Sequence, residues 1–444
     1  MGARRGTELN HVRSREPEGS EREPGLTSIV ILTLNQLEYT RMCFESIYAF
    51  TAEPFELIVV DNGSTDDTRM FLRELAGRRD NVKVVLNSEN TGFAGGCSQG
   101  MAVARGEYIL LLNNDVIVTE GWLSRMRRPL EADPTIGIVG PRSNCVSGVQ
   151  ILLDVPYSDV TRMHAFARER AETYAGQGMF LPIVIGFAML MRADLIEAIG
   201  GLDTRFGSGN FEDDDFCLRA QLAGQRIWMA DDVFIHHFGS RTFMGQKVDY
   251  EATIKRNEAI FREKWNLDEP LEDRYGIDRL VETLQGRFSL EQLFVPLPDP
   301  ATVPLVIERV EIEGVERFNL LLDADWSGPA EAWLPSIAAF VEGFSARDPV
   351  ALVVSGASDE ALAHIGAVLD PLGDEAADVL SIEGGHSAAG LLGACRGVVL
   401  ADPAKAARTR HWARLLGLPV LERPDRQALL DWFAQCEGRT VGLA

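Results

Sequence analysis

The chain is predicted to be an α/β protein built on two separate sheets. Three observations carry this expectation. Apolar runs of strand length alternate with helical patterns, each run ends in polar residues, and the alternation stops at a proline-bearing stretch before resuming. At 444 residues, the chain is too long for one ordinary core.

Residues 1–26 carry few apolar side chains among Arg, Glu, Gly and Ser, so they are expected to be a disordered leader. Order is expected to begin at Thr27. Ser28–Asn35, Phe55–Asp61, Asn81–Asn87 and Glu107–Val118 read as strands buried on both faces, which suits a parallel sheet. Glu38–Tyr48 and Asp67–Ala76 supply the intervening helices. Beyond them, Trp122–Glu131 reads as a helix, Ile136–Pro141 as a strand and Ser158–Tyr174 as a charged helical excursion. Pro182–Asp203 is expected to give a strand pair and a short helix, and Asp214–Ala223 another helix before the strand Arg226–His237. The first domain is thus placed at 27–268 and a helical, proline-rich linker at 269–316. A smaller Rossmann-like domain follows at 317–444, with strands such as those in FNLLLDAD, PVALVVSG and GVVLAD.

Composition excludes some functions. A net charge of -23 repels nucleic-acid backbones, so no nucleic-acid partner is expected. A nucleotide stays compatible, because a divalent cation can supply positive charge. No window offers about 20 apolar residues to span a bilayer, and the charged N-terminus is unlike a signal peptide, so a cytoplasmic location is expected. The six scattered cysteines read mainly as small core residues.

Open α/β sheets bind ligands beyond the carboxyl ends of their strands. Thr33, Leu34 and Asn35, then Asp61, then Asn113, Asn114 and Asp115 all occupy that edge. Asp115 can hold Mg²⁺ or Mn²⁺, although Asn-Asn-Asp also makes a simple turn. Asp61 can accept from a nucleobase or ribose, or merely begin a turn. Gly92–Gly100 can let a ligand pass close to the backbone. The run Glu212, Asp213, Asp214, Asp215 can be a helix cap, or can supply a base whose neighbours raise its pKa, with Arg219 reaching back one turn. Of His236 and His237, strand alternation sends one inward, where it can add a metal ligand, and His237 is the preferred candidate.

Taken together and in order, TLNQ, VVDNGSTDDT, NTGFAGG, LLNNDV, GFAMLMR, FEDDDFCLR and IHHFGS resemble the family 2 glycosyltransferases, inverting enzymes of the GT-A fold. The likeness is of the rhamnosyltransferase kind. It implies that Asp61 contacts the nucleoside and that Asn113–Asp115 is the Asp-x-Asp-like metal site. It further implies that Asp213 is the general base, and that Gly186 and Phe187 belong to the sugar and acceptor floor. Asn90 and Gly92 fall in the matching NTGFAGG motif. Two residues depart from the pattern: Asn113 replaces the usual first aspartate, and Ser98 stands where many relatives have asparagine. The C-terminal sheet loosely resembles half of a GT-B glycosyltransferase, with dimerisation or acceptor docking as its expected use.

The function expected is metal-dependent transfer of a hexosyl or deoxyhexosyl unit from a UDP- or dTDP-sugar to a saccharide, peptide or protein acceptor. A nucleotidyltransferase would need basic residues near the first strand, which TSIVILTLNQ lacks. A binding module without turnover is the non-enzyme alternative.

Overall fold

The computed structural model describes residues 22–79, 81–239, 250–267, 277–306, 312, 318–382 and 388–440. Most of the expected leader, residues 1–21, lies outside them. The first strand, β1, spans Glu23–Thr33, four residues earlier than expected. Glu23 is held there because its carboxylate pairs with Arg105 and its backbone N–H bonds the Arg105 carbonyl.

The N-terminal sheet grows outward from β1. Its parallel partners are β2 (Phe55–Asp61) and β4 (Gly106–Asn113), and β3 (Val82–Leu86) lies parallel on the far side of β2. Helices α1 (Leu37–Phe50), α2 (Thr68–Arg78) and α3 (Gly92–Ala102) make the crossovers. The expected long fourth strand divides at Asn114–Asp115, and β5 (Val116–Ile117) leaves the parallel sheet to pair with β9 (Arg226–His237). The second half of the sheet is mixed, and the short β7 (Gly178–Phe180) pairs antiparallel with β9. Strand β8 (Ala188–Arg192) runs antiparallel to both β4 and β6 (Ile136–Ser143), while β9 runs parallel to β6. Pro182–Phe187 forms no strand, so the expected strand pair is β8 alone, followed by helix α6 (Ala193–Ile199).

Helix α3 gives part of the Gly92–Gly100 segment a packing role. Gly96 and Gly100 lie within the helix and serve packing, although each is about 1 kcal/mol poorer than alanine there. Added Cβ atoms would stand 2.3 Å from Leu32 at Gly96 and 2.3 Å from Val30 at Gly100. Their absence lets the helix lie directly on β1. Ser98, in the same helix, is buried with its hydroxyl on the backbone of Leu202. It therefore ties helix to loop.

Helix α4 (Trp122–Ala132) and the excursion helix α5 (Val160–Thr173) follow the expected pattern. Arg170 and Arg142 both pair with Asp231, which ties α5 to β9. Helix α7 (Glu212–Leu222) starts two residues earlier than expected and takes in the whole acidic run. The described part of the linker is docked on the first domain. The Val295 carbonyl occupies the space a Gly200 side chain would need, and Leu86 and Val306 exchange backbone bonds with Pro304 and Val84. This extended pairing covers the β3 edge.

The smaller domain has a five-stranded parallel sheet: β10 (Phe318–Asp323), β11 (Val350–Ser355), β12 (Asp378–Ile382), β13 (Gly397–Leu400) and β14 (Val420–Glu422). They are ordered β12-β11-β10-β13-β14. Both predicted α/β units are present. They meet at a buried charged seam: Lys83 Nζ lies 2.9 Å from Glu56 Oε2, 2.7 Å from His411 Nε2 and 2.8 Å from the Val103 carbonyl. Among the described residues, no helix is long and apolar enough to cross a membrane. All six cysteines are free, and Cys43, Cys97, Cys217 and Cys395 are buried.

Candidate active site

The carboxyl ends of three adjacent strands form one edge. Register sets Thr33 beside Asp61 and Leu32 beside Asn113. Asp61 and Asn113 thus stand two strands apart, about 10 Å. Asp61 is fully buried: its Oδ2 accepts from the N–H groups of Gly63 and Ser64 at 3.3 and 3.2 Å and faces Arg69 at 3.3 Å. Its Oδ1 has no partner among the described residues, and neither does the Thr33 hydroxyl. Buried polar atoms are rarely left so, and these two are available to a ligand donor.

Other polar residues at this edge are spent on building its walls. The Asn35 amide oxygen accepts from the N–H groups of Thr65 and Asp66 at 2.8 and 3.2 Å, with Asn35 itself at φ 56°. Leu34 lies between these two residues, half-buried. Asn90 accepts from Asn62 and from the N–H of Gly92, fixing the entry to α3. Asn114 is buried and donates to Thr40 at 3.0 Å, away from the cleft.

Beside this edge opens a cleft of about 390 Å³, whose lining includes Asn113, Gly186, Phe187, Glu212, Asp213 and His237. Asp213 is 5% exposed, and its Oδ2 accepts from the Gly186 N–H at 3.1 Å. The carboxylate is thereby fixed at the cleft wall. A Cβ on Gly186 would make only ordinary contacts, so the floor uses that residue's N–H rather than its lack of a side chain.

His237 is held on every side. Its ring stacks on Phe187 at 5.2 Å and 16°, its Nδ1 lies 2.6 Å from the Cys145 carbonyl, and the Asn144 amide pairs with its backbone. A carbonyl can only accept, so Nδ1 carries the proton and Nε2 the lone pair. Nε2 lies 3.1 Å from Asp115 Oδ1 and 3.3 Å from the Asn113 amide nitrogen. Two lone-pair atoms that face each other so closely call for a cation or a proton between them. A divalent cation fits this pair. Among the described residues no group of three His, Cys, Asp or Glu gathers at ion-binding spacing, so the chain offers Asp115 and His237. The second histidine is excluded from the pair. His236 Nδ1 lies 2.7 Å from the Tyr157 hydroxyl on the opposite side of the strand, and its pKa is lowered, first by burial and then by His237.

Asp215 and Arg219 do not reach the cleft. Arg219 is fully buried, with Nε 2.8 Å from Asp215 Oδ2 and its two Nη atoms on the carbonyls of Ile199 and Gly201. Asp215 Oδ1 takes Lys264 at 2.7 Å and the Trp265 indole at 3.1 Å. Every charge in this set is consumed by its neighbours, which makes it a structural lock. Of the acidic run, Glu212 and Asp213 line the cleft.

Sequence reasoning missed a further part of the lining. Asn144, Cys145, Val146, Ser147 and Ile151 belong to it, and they lie between the predicted strand Ile136–Pro141 and the predicted helix Ser158–Tyr174. The rule that picked out Asp61 also reaches them, since β6 ends at Ser143 on the same edge.

Residues 28–200 match the family model of Glycosyl transferase family 2. This chain is 25% identical over 279 residues to the uncharacterized protein y4gI of Sinorhizobium fredii, which covers 58% of this chain and 29% of y4gI. It is 29% identical over 228 residues to the uncharacterized protein Rv1525 of Mycobacterium tuberculosis, covering 48% and 74%. A solved structure, the mannosyltransferase PcManGT of Pyrobaculum calidifontis with GDP-Man and Mn²⁺, aligns at 19% identity over 60% of this chain and 72% of its own, with a TM-score of 0.41. Residues 28–200 thus match a family 2 glycosyltransferase domain, on an N-terminal α/β sheet that is GT-A-like. A second, smaller α/β domain follows it.

Proposed function

We propose that the protein is an inverting glycosyltransferase that moves a hexosyl or deoxyhexosyl unit from a UDP- or dTDP-sugar to an acceptor hydroxyl on a saccharide, peptide or protein. The observation that carries this reading is the fixed Asp213 carboxylate lining the same cleft as Asn113 and His237. Asp61 and Thr33 receive the nucleoside, since their unpartnered oxygens take N–H or O–H donors. Asp115 and His237 hold Mn²⁺ or Mg²⁺, which when bound offsets the charge of the leaving diphosphate. Asp213 takes the proton of the acceptor hydroxyl as its oxygen bonds to the anomeric carbon, and the bond from that carbon to the nucleoside diphosphate breaks. A single displacement of this kind inverts the anomeric centre. The C-terminal domain, likened to half of a GT-B enzyme, is read as a surface for acceptor docking or self-association.

The test is turnover. The purified chain is incubated with UDP-, dTDP- and GDP-sugars, Mn²⁺ and a panel of saccharide acceptors, and released nucleoside diphosphate is measured. Release that needs both metal and acceptor supports the reading. Donor binding without release in any combination would reduce the domain to a binding module, and full activity in Asp213→Asn would remove Asp213 as the base.

A further inference from the structure

The turn that delivers the acidic run has an unusual backbone. Asn210 and Phe211 are consecutive non-glycine residues at φ 73° and 74°, in the left-handed region. Residues with a Cβ adopt it reluctantly, and two in a row persist only when the surroundings impose them. Glu212 and Asp213 begin α7 immediately afterwards, so the direction in which Asp213 leaves the chain depends on this turn.

The surroundings come from the helix Tyr250–Trp265. Asn257 is fully buried in it, and the two hydrogens of its side-chain nitrogen are shared among three carbonyls of the loop: Phe206 at 2.7 Å, Gly209 at 2.8 Å and Asn210 at 2.9 Å. Its amide oxygen accepts from Arg256 at 2.9 Å. The same helix places Phe261 against the Phe211 ring, with centroids 5.7 Å apart, and sends Lys264 and Trp265 to Asp215. The helix thus grips the turn from below and α7 from the side. Asn257 satisfies several loop carbonyls at once.

We infer that Asn257 is a positioning residue for Asp213. It holds the Asn210–Phe211 turn left-handed and so sets the carboxylate against the Gly186 N–H in the cleft. The inference rests on the reading of Asp213 as the base. It predicts that loosening the turn slows the chemical step while donor binding persists, because the nucleoside and metal residues lie on other elements.

Two substitutions at Asn210 separate backbone from side chain. Both Asn210→Gly and Asn210→Val delete the amide; glycine accepts φ 73° freely, whereas a β-branched residue opposes it. Asn210→Val and Asn257→Ala are expected to lower kcat about tenfold to a hundredfold with donor KM unchanged, and Asn210→Gly, which deletes the same amide as Asn210→Val, to keep a kcat at least about tenfold above that of Asn210→Val. Adding Asn210→Gly to Asn257→Ala is expected to restore part of the lost kcat. Each is assayed well below its measured Tm. If Asn257→Ala fails to fold, the glycine and valine pair decides the matter without it. Equal kcat for those two, or a fall in donor affinity without a fall in kcat, overturns the inference. Loss of activity in Asp213→Asn with full activity in Asn257→Ala also overturns it and leaves the base standing. Full activity in Asp213→Asn, or a wild-type chain that turns over no donor, overturns both.

Discussion

Lys83→Met is expected to weaken the seam between the two domains, and His411 gives that seam an acid limit. Lys83 is buried, with Glu56, His411 and the Val103 carbonyl as its partners. Removing one member of a buried ion pair costs ~3–5 kcal/mol when the other is stranded. Glu56 is not fully stranded, because Arg105 Nε remains 3.0 Å away and Ser28 donates at 2.6 Å, so the lower end, about 3 kcal/mol, is expected. His411 is also buried, and its pKa is pushed well below the ordinary 6.5, first by burial and then by Lys83, Arg414 and Arg105, against a smaller opposing effect of the Val103 carbonyl. The folded chain therefore keeps His411 neutral, whereas the unfolded chain protonates it below 6.5. The unfolded state then binds more protons, and stability present above pH 6.5 is lost as the pH falls. At about 1.4 kcal/mol per pH unit, the loss reaches roughly 2 kcal/mol by pH 5. Urea unfolding of wild type and His411→Leu at pH 7.5 and pH 5.0 isolates this contribution, since other carboxylates titrate in both. Parallel pH dependence in the two proteins would refute the argument for His411. An unchanged urea midpoint in Lys83→Met would refute it for the ion pair.

Four further outcomes follow from the geometry. His237→Ala is expected to raise the Mn²⁺ concentration needed for transfer at least tenfold, as loss of one of two chain ligands would, while His236→Phe leaves that requirement unchanged; metal titration of the two variants decides. Asn113→Asp adds a second carboxylate beside Asp115 and is expected to lower the half-saturating Mn²⁺ concentration, measured in the same titration. Gly100→Val drives side-chain carbon into Val30 and is expected to cost at least about 1–3 kcal/mol, seen as a lowered Tm. Arg219→Met leaves the buried Asp215 with Lys264 and Trp265 only and is expected to cost ~3–5 kcal/mol, seen as lost soluble yield or a much lower Tm, with no selective effect on kcat in whatever folds.

The strands of both sheets were legible because burial on two faces leaves uninterrupted runs such as Ile29–Leu32 and Leu57–Val60. Position along those runs was legible too, since a polar residue ending a buried strand must lie at the sheet edge, as Asp61 and Asn113 do. What each polar side chain does there was not legible. Asn35, Asn62, Asn90 and Asn114 have the same chemistry as a ligand-binding amide, yet each bonds a loop or helix of its own domain, and the choice depends on a neighbour far away in sequence. The acidic run illustrates the same limit. Four carboxylates in one helical turn point in different directions about the axis, so Asp213 meets the Gly186 N–H while Asp215 meets Arg219, Lys264 and Trp265. Those partners lie on α7 itself and on the helix Tyr250–Trp265, which the sequence reading left without a role.

The substitution at Asn113 looks different once its neighbours are placed. In sequence it subtracts a carboxylate from the strand end and weakens the case for a metal. In the structure its amide nitrogen faces the Nε2 of His237, the atom that also faces Asp115. An amide can turn over, presenting its nitrogen to the bare imidazole lone pair or its oxygen to a cation lying between His237 and Asp115. An aspartate could only do the second, and without a cation it would add a further lone pair to a site that already has two in opposition. Asn113 therefore lets the strand end exist without metal at lower electrostatic cost, while under the proposed metal role His237 would supply the ligand that the missing carboxylate would have given. On the proposed reading, the consequence would be a site that binds its cation reversibly, together with the diphosphate, rather than one that retains it.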